Sequence, residues 1–182
     1  MADIPGSLES LWELADELGE QSLTDPLYVL DPVGLLLVRP LERWDYECTP
    51  LNSLTFAQTG EEGVHFGLLQ LAGAALASAP VVMTVPDALD DCNLVIAGDF
   101  DEFLAIGATS GWFTLGRLVE EPDDALERLA TPDPDPWAES EQLLARVRER
   151  LAIEPAALTH KRLEELRLKY GPAVLVEEDP EG

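Results

Sequence analysis

Apolar residues recur at helical spacing near both ends of this chain and at strand spacing between them. Leu8, Leu11, Trp12, Ala15 and Leu18 share one side of a 3.6-residue period, while Glu9, Glu13, Asp16 and Glu17 occupy the others. The pattern predicts a helix from Ser7 to Leu18, with Ser7 as N-cap and Gly19 as its stop. Leu27 to Leu30 and Leu35 to Val38 read as short strands around the turn Asp31-Pro32-Val33-Gly34. Arg39-Pro40 is expected to close the second, because the residue before a proline is pushed out of the helical region.

The centre of the chain alternates β-prone runs with turn chemistry. Leu54, Thr55 and Phe56 lead into Thr59-Gly60-Glu61-Glu62-Gly63, and Val64, His65, Phe66, Leu68 and Leu69 follow. Two glycines three apart between apolar runs let the backbone reach positive φ, so a β-hairpin is predicted here. Gln70 to Ala79 is small and apolar, read as a loop or one packed turn. Pro80 to Val85 is a near-continuous β-branched run ended by Pro86 and reads as a buried strand; Asn93 to Ala97 is the next one.

Asp99-Phe100-Asp101-Glu102 carries the clearest helix start. Asp99 can accept a first-turn N–H while Glu102 reaches back, and Phe100, Phe103, Leu104 and Ile106 supply a buried face. Trp112 to Val119 predicts a second short helix and Asp123 to Leu129 one or two further turns. Thr131 to Pro136, TPDPDP, is a stiff extended linker, since alternating prolines remove donors and fix φ. Trp137, Leu144, Val147 and Leu151 are expected on one face of the next helix. Pro155 is expected to start the last, which carries Leu158, Leu163, Leu166 and Tyr170 and stops at Gly171-Pro172.

A helix, then a block of strands, then a block of helices argues for an α+β fold, an antiparallel sheet with helices packed on it and a helical C-terminal part. At 182 residues one domain, 1–182, is the default. It divides into the N-terminal helix (7–18), a sheet core (27–97), a helical part (99–170) and a tail (171–182).

Thr49-Pro50, Phe56-Ala57, Thr59-Gly60, Gly63 and His65-Phe66 together resemble the core motif of the SUKH superfamily, which contains the yeast cell-wall regulator and many bacterial immunity proteins. Further matches are Pro80-Val81-Val82-Met83 with Pro86, and Val95-Ile96-Ala97 followed by Asp99-Phe100 and Glu102-Phe103-Leu104. The resemblance covers Thr49 to Gly107; Glu62 stands where many members have Asp. It implies a SUKH-like fold, a binding role, and a fold-defining rather than catalytic place for His65.

Charge sharpens that picture. Eleven basic residues against 36 acidic ones give a net charge of −25, which disfavours direct contact with a nucleic-acid backbone. The excess is uneven: Met1 to Ala145 holds 4 basic and 28 acidic residues, Arg146 to Gly182 holds 7 and 8. An acidic field of that size speeds encounter with a basic partner, and it also simply keeps a protein in solution. The amino terminus MADIPGSLES has neither the basic nor the apolar region of a secretory leader, and no apolar run approaches a bilayer span. A cytoplasmic location without membrane attachment is expected. Cys48 and Cys92 then read as two reduced, mostly buried thiols.

Candidate chemistry is sparse. No phosphate-loop, dinucleotide, zincin or nucleophile-elbow motif is present, and neither a metal nor a cofactor is implied. His65 beside Glu61 and Glu62 has the composition of a general base oriented by a carboxylate. The competing reading, a structural histidine bonded within the turn, is favoured, because alternation turns His65 away from both Val64 and Phe66. Asp87, Asp90 and Asp91 offer hard oxygens for calcium, but without the glycine and terminal Glu of an EF-hand they read as a solvated turn. Arg146, Arg148, Arg150, Lys161, Arg162, Arg167 and Lys169 form a basic stripe interleaved with acids, read as intramolecular pairing.

The reading that follows is a non-enzymatic protein-binding module, an immunity-type protein that neutralises a toxin such as a nuclease by covering its basic surface. The expected contact combines Glu61, Glu62, Asp87, Asp90, Asp91, Asp99, Asp101 and Glu102 around an apolar centre of Trp112 and Phe113. Two alternatives stand beside it: an enzyme or small-ligand binder with a pocket around His65, and a housekeeping adaptor.

Overall fold

The computed structural model describes residues 3–88 and 91–177. Strands β1 (Leu36–Glu42), β2 (Ser53–Gln58), β3 (His65–Leu69), β4 (Val81–Thr84) and β5 (Asn93–Ala97) lie side by side in sequence order, each antiparallel to the next. Helices α1 (Gly6–Ser22), α2 (Phe100–Gly107), α3 (Pro122–Ala130), α4 (Ala138–Leu151) and α5 (His160–Tyr170) complete an α+β architecture. Short 3-10 segments, Asp31–Val33 and Phe113–Leu118 among them, turn the chain between these elements.

The core is aromatic. Phe56 of β2 meets Phe100 and Phe103 of α2 edge-on, at 5.1 Å between ring centres in each case. Trp112 closes the cluster, fully buried, with its Nε1–H donated to the Phe103 carbonyl at 3.1 Å. An indole that large is stable inside only because its one donor finds a partner. Gly107 makes room for it: a Cβ there would overlap the indole ring. β3 is buried at all five positions, so both faces of the sheet are covered at its centre. The segment after α5 is tied to the β1–β2 connection through Leu51 N–H to Leu175 O, and through Asn52, whose side chain bonds Ala173 O and Leu175 N–H.

Several local expectations are corrected. Leu27 to Leu30 is a run of turns, not a strand. The Asp25 carboxylate accepts the Leu27 N–H at 3.0 Å, which closes an Asx-type turn, and only Leu27 O reaches β1, at Leu37 N. β1 continues through Pro40 to Glu42, with a register irregularity after Leu37. It is an edge strand, where a missing N–H breaks no central ladder. α1 starts at Gly6 without a side-chain cap from Ser7 and runs past Gly19 to Ser22. Gly19 serves packing instead, since a Cβ there would stand 2.8 Å from the Thr24 carbonyl of the returning chain.

Asp99 caps α2 as expected, accepting Glu102 N–H at 2.8 Å, while Glu102 reaches back to Gly98 N–H. α5 begins at His160, not Pro155, capped by Thr159 Oγ1 accepting Arg162 N–H at 3.2 Å. Residues 155–159 are held out of the helix by docking: Ala156 N–H bonds the Ala105 carbonyl of α2 at 3.0 Å. Trp137 precedes α4 and is 77% exposed, so it does not join the buried face that Leu144 and Val147 form. No helix among the described residues is long and apolar enough to cross a membrane.

Candidate functional site

His65, the first residue of β3, is 1% exposed. Its Nδ1–H donates to Gly63 O at 2.7 Å and its Nε2 accepts from Thr49 Oγ1 at 3.0 Å. The Gly63 carbonyl can only accept, so Nδ1 carries a proton, and the acceptor role of Nε2 is the one that a neutral ring then takes. Burial pushes the imidazole pKa below its ordinary value, against the opposing pull of the Gly63 bond. Trp44 and Tyr46 lie against the ring at 5.1 and 5.5 Å, and both ring nitrogens are bonded within the protein. This geometry weighs against a pocket around His65.

The rest of the motif builds the same clip. Thr49 and Pro50 are buried beside it, Phe56 and Phe66 stand in the aromatic core, and Thr59 Oγ1 accepts Glu61 N–H at 3.2 Å to fold the turn. Gly60 and Gly63 have φ of +82° and +71°, and Glu62 between them also adopts a left-handed φ of +49°. Gly63 lies so close to Tyr46 and Pro86 that a Cβ would come within 3.0 Å of the Tyr46 hydroxyl and 3.2 Å of the Pro86 ring. The hairpin turn, the loop 43–50 and the β4–β5 turn are thereby pinned together at one end of the sheet.

That convergence decides where the acids fall. Glu61 and Glu62 on the hairpin turn, Asp87 and Asp91 on the β4–β5 turn, and Asp45 and Glu47 on the covering loop are all exposed at this end. Asp31 joins them, its Oδ1 only 3.7 Å from where a Cβ on Gly60 would sit. None of these seven takes part in an ion pair among the described residues. Asp90 lies outside the described residues.

The second half of the expected patch is elsewhere. Asp99, Asp101 and Glu102 follow the C-terminal end of β5 and so stand at the opposite end of the sheet, roughly 14 Å of strand away. Glu102 is further removed from any partner by a two-pronged pair with Arg162, at 2.7 and 2.8 Å. Trp112, fully buried, cannot be the apolar centre of a contact surface. The seven described acids of the expected patch therefore form no single face; antiparallel strands put consecutive turns at opposite ends.

Beside the turn end lies a groove of about 750 Å³ that sequence reasoning missed. Phe113, 37% exposed, and Trp137 line it, with Asp31, Asp133, Glu141 and two prolines of the extended linker, Pro132 and Pro136. Its walls are fastened: Ser140 Oγ donates to Pro32 O at 2.8 Å and Arg148 to Ala108 O at 2.6 Å. The available signal was a tryptophan at the end of a proline-stiffened stretch, where the chain cannot bend to bury it.

The basic stripe is largely paired internally. Arg150 reaches Glu13 and Glu17 of α1 at 3.2 Å each, Arg167 pairs with Glu164, Lys161 with Glu165, and Arg146 bonds Gln21. Cys48 and Cys92 are partly exposed rather than mostly buried, and they interact: Asn93 Nδ2 bonds both Cys48 O and Cys92 Sγ. Burial and the neighbouring thiol push Cys48 up to about 11. Among the described residues, no three His, Cys, Asp or Glu side chains converge on a point where a metal could sit. Comparison of the chain with protein-family models, with curated proteins and with solved structures finds no match.

Proposed function

We propose that this protein is a non-enzymatic binding module of the SUKH type, an immunity-type protein that covers a basic surface on a toxin domain. The observation carrying this reading is the turn end of the sheet, where Asp31, Asp45, Glu47, Glu61, Glu62, Asp87 and Asp91 are gathered outside any ion pair among the described residues, Asp91 alone feeling the more distant Arg167. Like charges held together repel one another and strengthen the outward field, so the arrangement is one that a cationic partner relieves. A nuclease is a fitting target, because the channel that binds its phosphate backbone is itself positively charged. Occlusion needs no chemistry from the module, in keeping with a histidine engaged through both ring nitrogens.

The test uses protein products of the genes adjoining this one as candidate partners, with association rates measured across ionic strength. Steered association is expected to slow at least about tenfold between 50 and 500 mM salt, roughly, and to slow similarly when Glu61, Glu62, Asp87 and Asp91 are all changed to Lys. A partner whose association rate ignores both salt and these substitutions would remove the acidic end from the mechanism.

A further inference from the structure

The groove beside the acidic end has the chemistry of a cation receptor. Two aromatic side chains, Trp137 and Phe113, line it, and Trp137 is 77% exposed after the proline-rich stretch before it. A positive charge over an indole face is attracted by the ring quadrupole, and Trp is the strongest of the aromatic partners. Around those rings stand three carboxylates, Asp31, Asp133 and Glu141. The single cation in the lining, Arg148, is turned into the wall by its bond to the Ala108 carbonyl at 2.6 Å. Aromatic faces with an excess of carboxylates select an organic cation and repel an anion.

The size and stiffness of the site fit a side chain presented by a protein. A volume of about 750 Å³ lies within the range of built binding clefts and holds a long side chain with part of its backbone. Two of the walls are cross-linked by Ser140 to Pro32, and within the linker Asp135 N–H bonds Asp133 Oδ1 at 3.0 Å, which closes a local turn. Prolines in that linker have little backbone freedom left to lose on binding. Asp31 belongs both to the groove lining and to the acidic end, so the two surfaces are continuous.

We infer that the groove is an anchor pocket for an arginine side chain on a basic segment of a partner protein, the guanidinium stacking on Trp137 and facing the groove carboxylates. The inference rests on the proposed function for the existence of a basic partner, and it adds where one residue of that partner seats. A planar guanidinium suits the site better than an ammonium, since it stacks on an aromatic face and still presents donors at its edge to carboxylates.

The experiment titrates the full chain with a peptide of alternating Gly and Arg, followed by backbone amide NMR, beside the same peptide with citrulline in place of Arg. Saturable shifts centred on Phe113, Trp137 and Ser140 are expected with the Arg peptide and none with citrulline, which keeps the shape and loses the charge. Trp137→Ala should weaken binding roughly threefold to fivefold, the range of an exposed cation–π contact, and Trp137→Phe should recover part of it. Trp137 is exposed, so its variants keep the fold, and an unchanged urea midpoint verifies this. Equal affinity for the Arg and citrulline peptides overturns the inference. So does binding that is lost on changing Glu61 and Glu62 to Lys but indifferent to Trp137→Ala; that result leaves the acidic end as a docking face and removes only the groove. Conversely, a filled groove with partner association indifferent to salt upholds the anchor and removes the steering role of the acidic end.

Discussion

At the end of the sheet where β5 runs into α2, two of the three carboxylates, Asp99 and Glu102, are occupied. Asp99 holds the first turn of α2, and Glu102 bridges Gly98 N–H and the Arg162 guanidinium of α5. Burial alone would raise the Glu102 carboxyl, yet Arg162 and the Gly98 N–H outweigh it and hold it below the usual carboxylate range. At the other end Glu61, Glu62, Asp87 and Asp91 carry the same charge outside any ion pair among the described residues, with only Asp91 feeling a cation, Arg167, at longer range. The lesson is that an acidic residue's role follows from what the chain brings beside it: one end uses charge to fasten a helix to a sheet, the other leaves charge available.

If that contrast holds, substitutions at the two ends separate stability from binding. The core that supports both should be most sensitive. Trp112→Ala removes a buried indole and its bond to Phe103, so urea unfolding should show a loss of about 3–5 kcal/mol. A loss under 1 kcal/mol would mean that the aromatic cluster does not hold α2 on the sheet.

At the fastened end, Glu102→Ala strands a half-exposed guanidinium and frees Gly98 N–H; about 1.5–3 kcal/mol should go, with basic-peptide affinity unchanged. The pair also predicts a pH window. Because the Glu102 pKa is depressed in the fold, the unfolded chain binds protons first on acidification. The contribution is full above about pH 4.5 and disappears as pH falls through the folded value. An acid limb as steep in Glu102→Gln as in the parent would contradict this.

His65 adds a second window. Folding lowers its pKa, so the unfolded state takes up a proton near pH 6.5 that the folded state refuses until lower pH. Stability is therefore complete above that value and declines as pH drops below it. His65→Gln should flatten this limb and cost about 1–3 kcal/mol at neutral pH, since the Thr49 and Gly63 bonds are remade imperfectly. A retained limb would assign it to another group. The smallest stability effect belongs to the open end: Glu61→Gln with Asp87→Asn should move the unfolding free energy by no more than about 0.5 kcal/mol while slowing association with a basic partner. A loss beyond 1 kcal/mol would show that these acids hold structure, as Glu102 does.

Local chemistry carried far in this chain. The hairpin turn, the strands around Val82 and Val95, the capping of α2 by Asp99 and the stop at Gly171-Pro172 follow from backbone rules acting within a few residues. The failures share a cause as well. Leu27 to Leu30 has strand composition, but the Asp25 side chain captures the Leu27 N–H first. Pro155 has helix-start chemistry, but Ala156 N–H is drawn to α2 instead.

The candidate site divides along the same line. Sequence alone determined the α+β class and the acidic excess, because periodicity, counted charge and turn residues are properties of neighbours in the chain. Only the tertiary structure decided that Glu102 is locked to Arg162, that Trp112 is core, that Asp31 stands with Glu61, and that Trp137 and Phe113 share a groove. Each of these depends on distances between residues far apart in the chain, which spacing does not encode and packing sets.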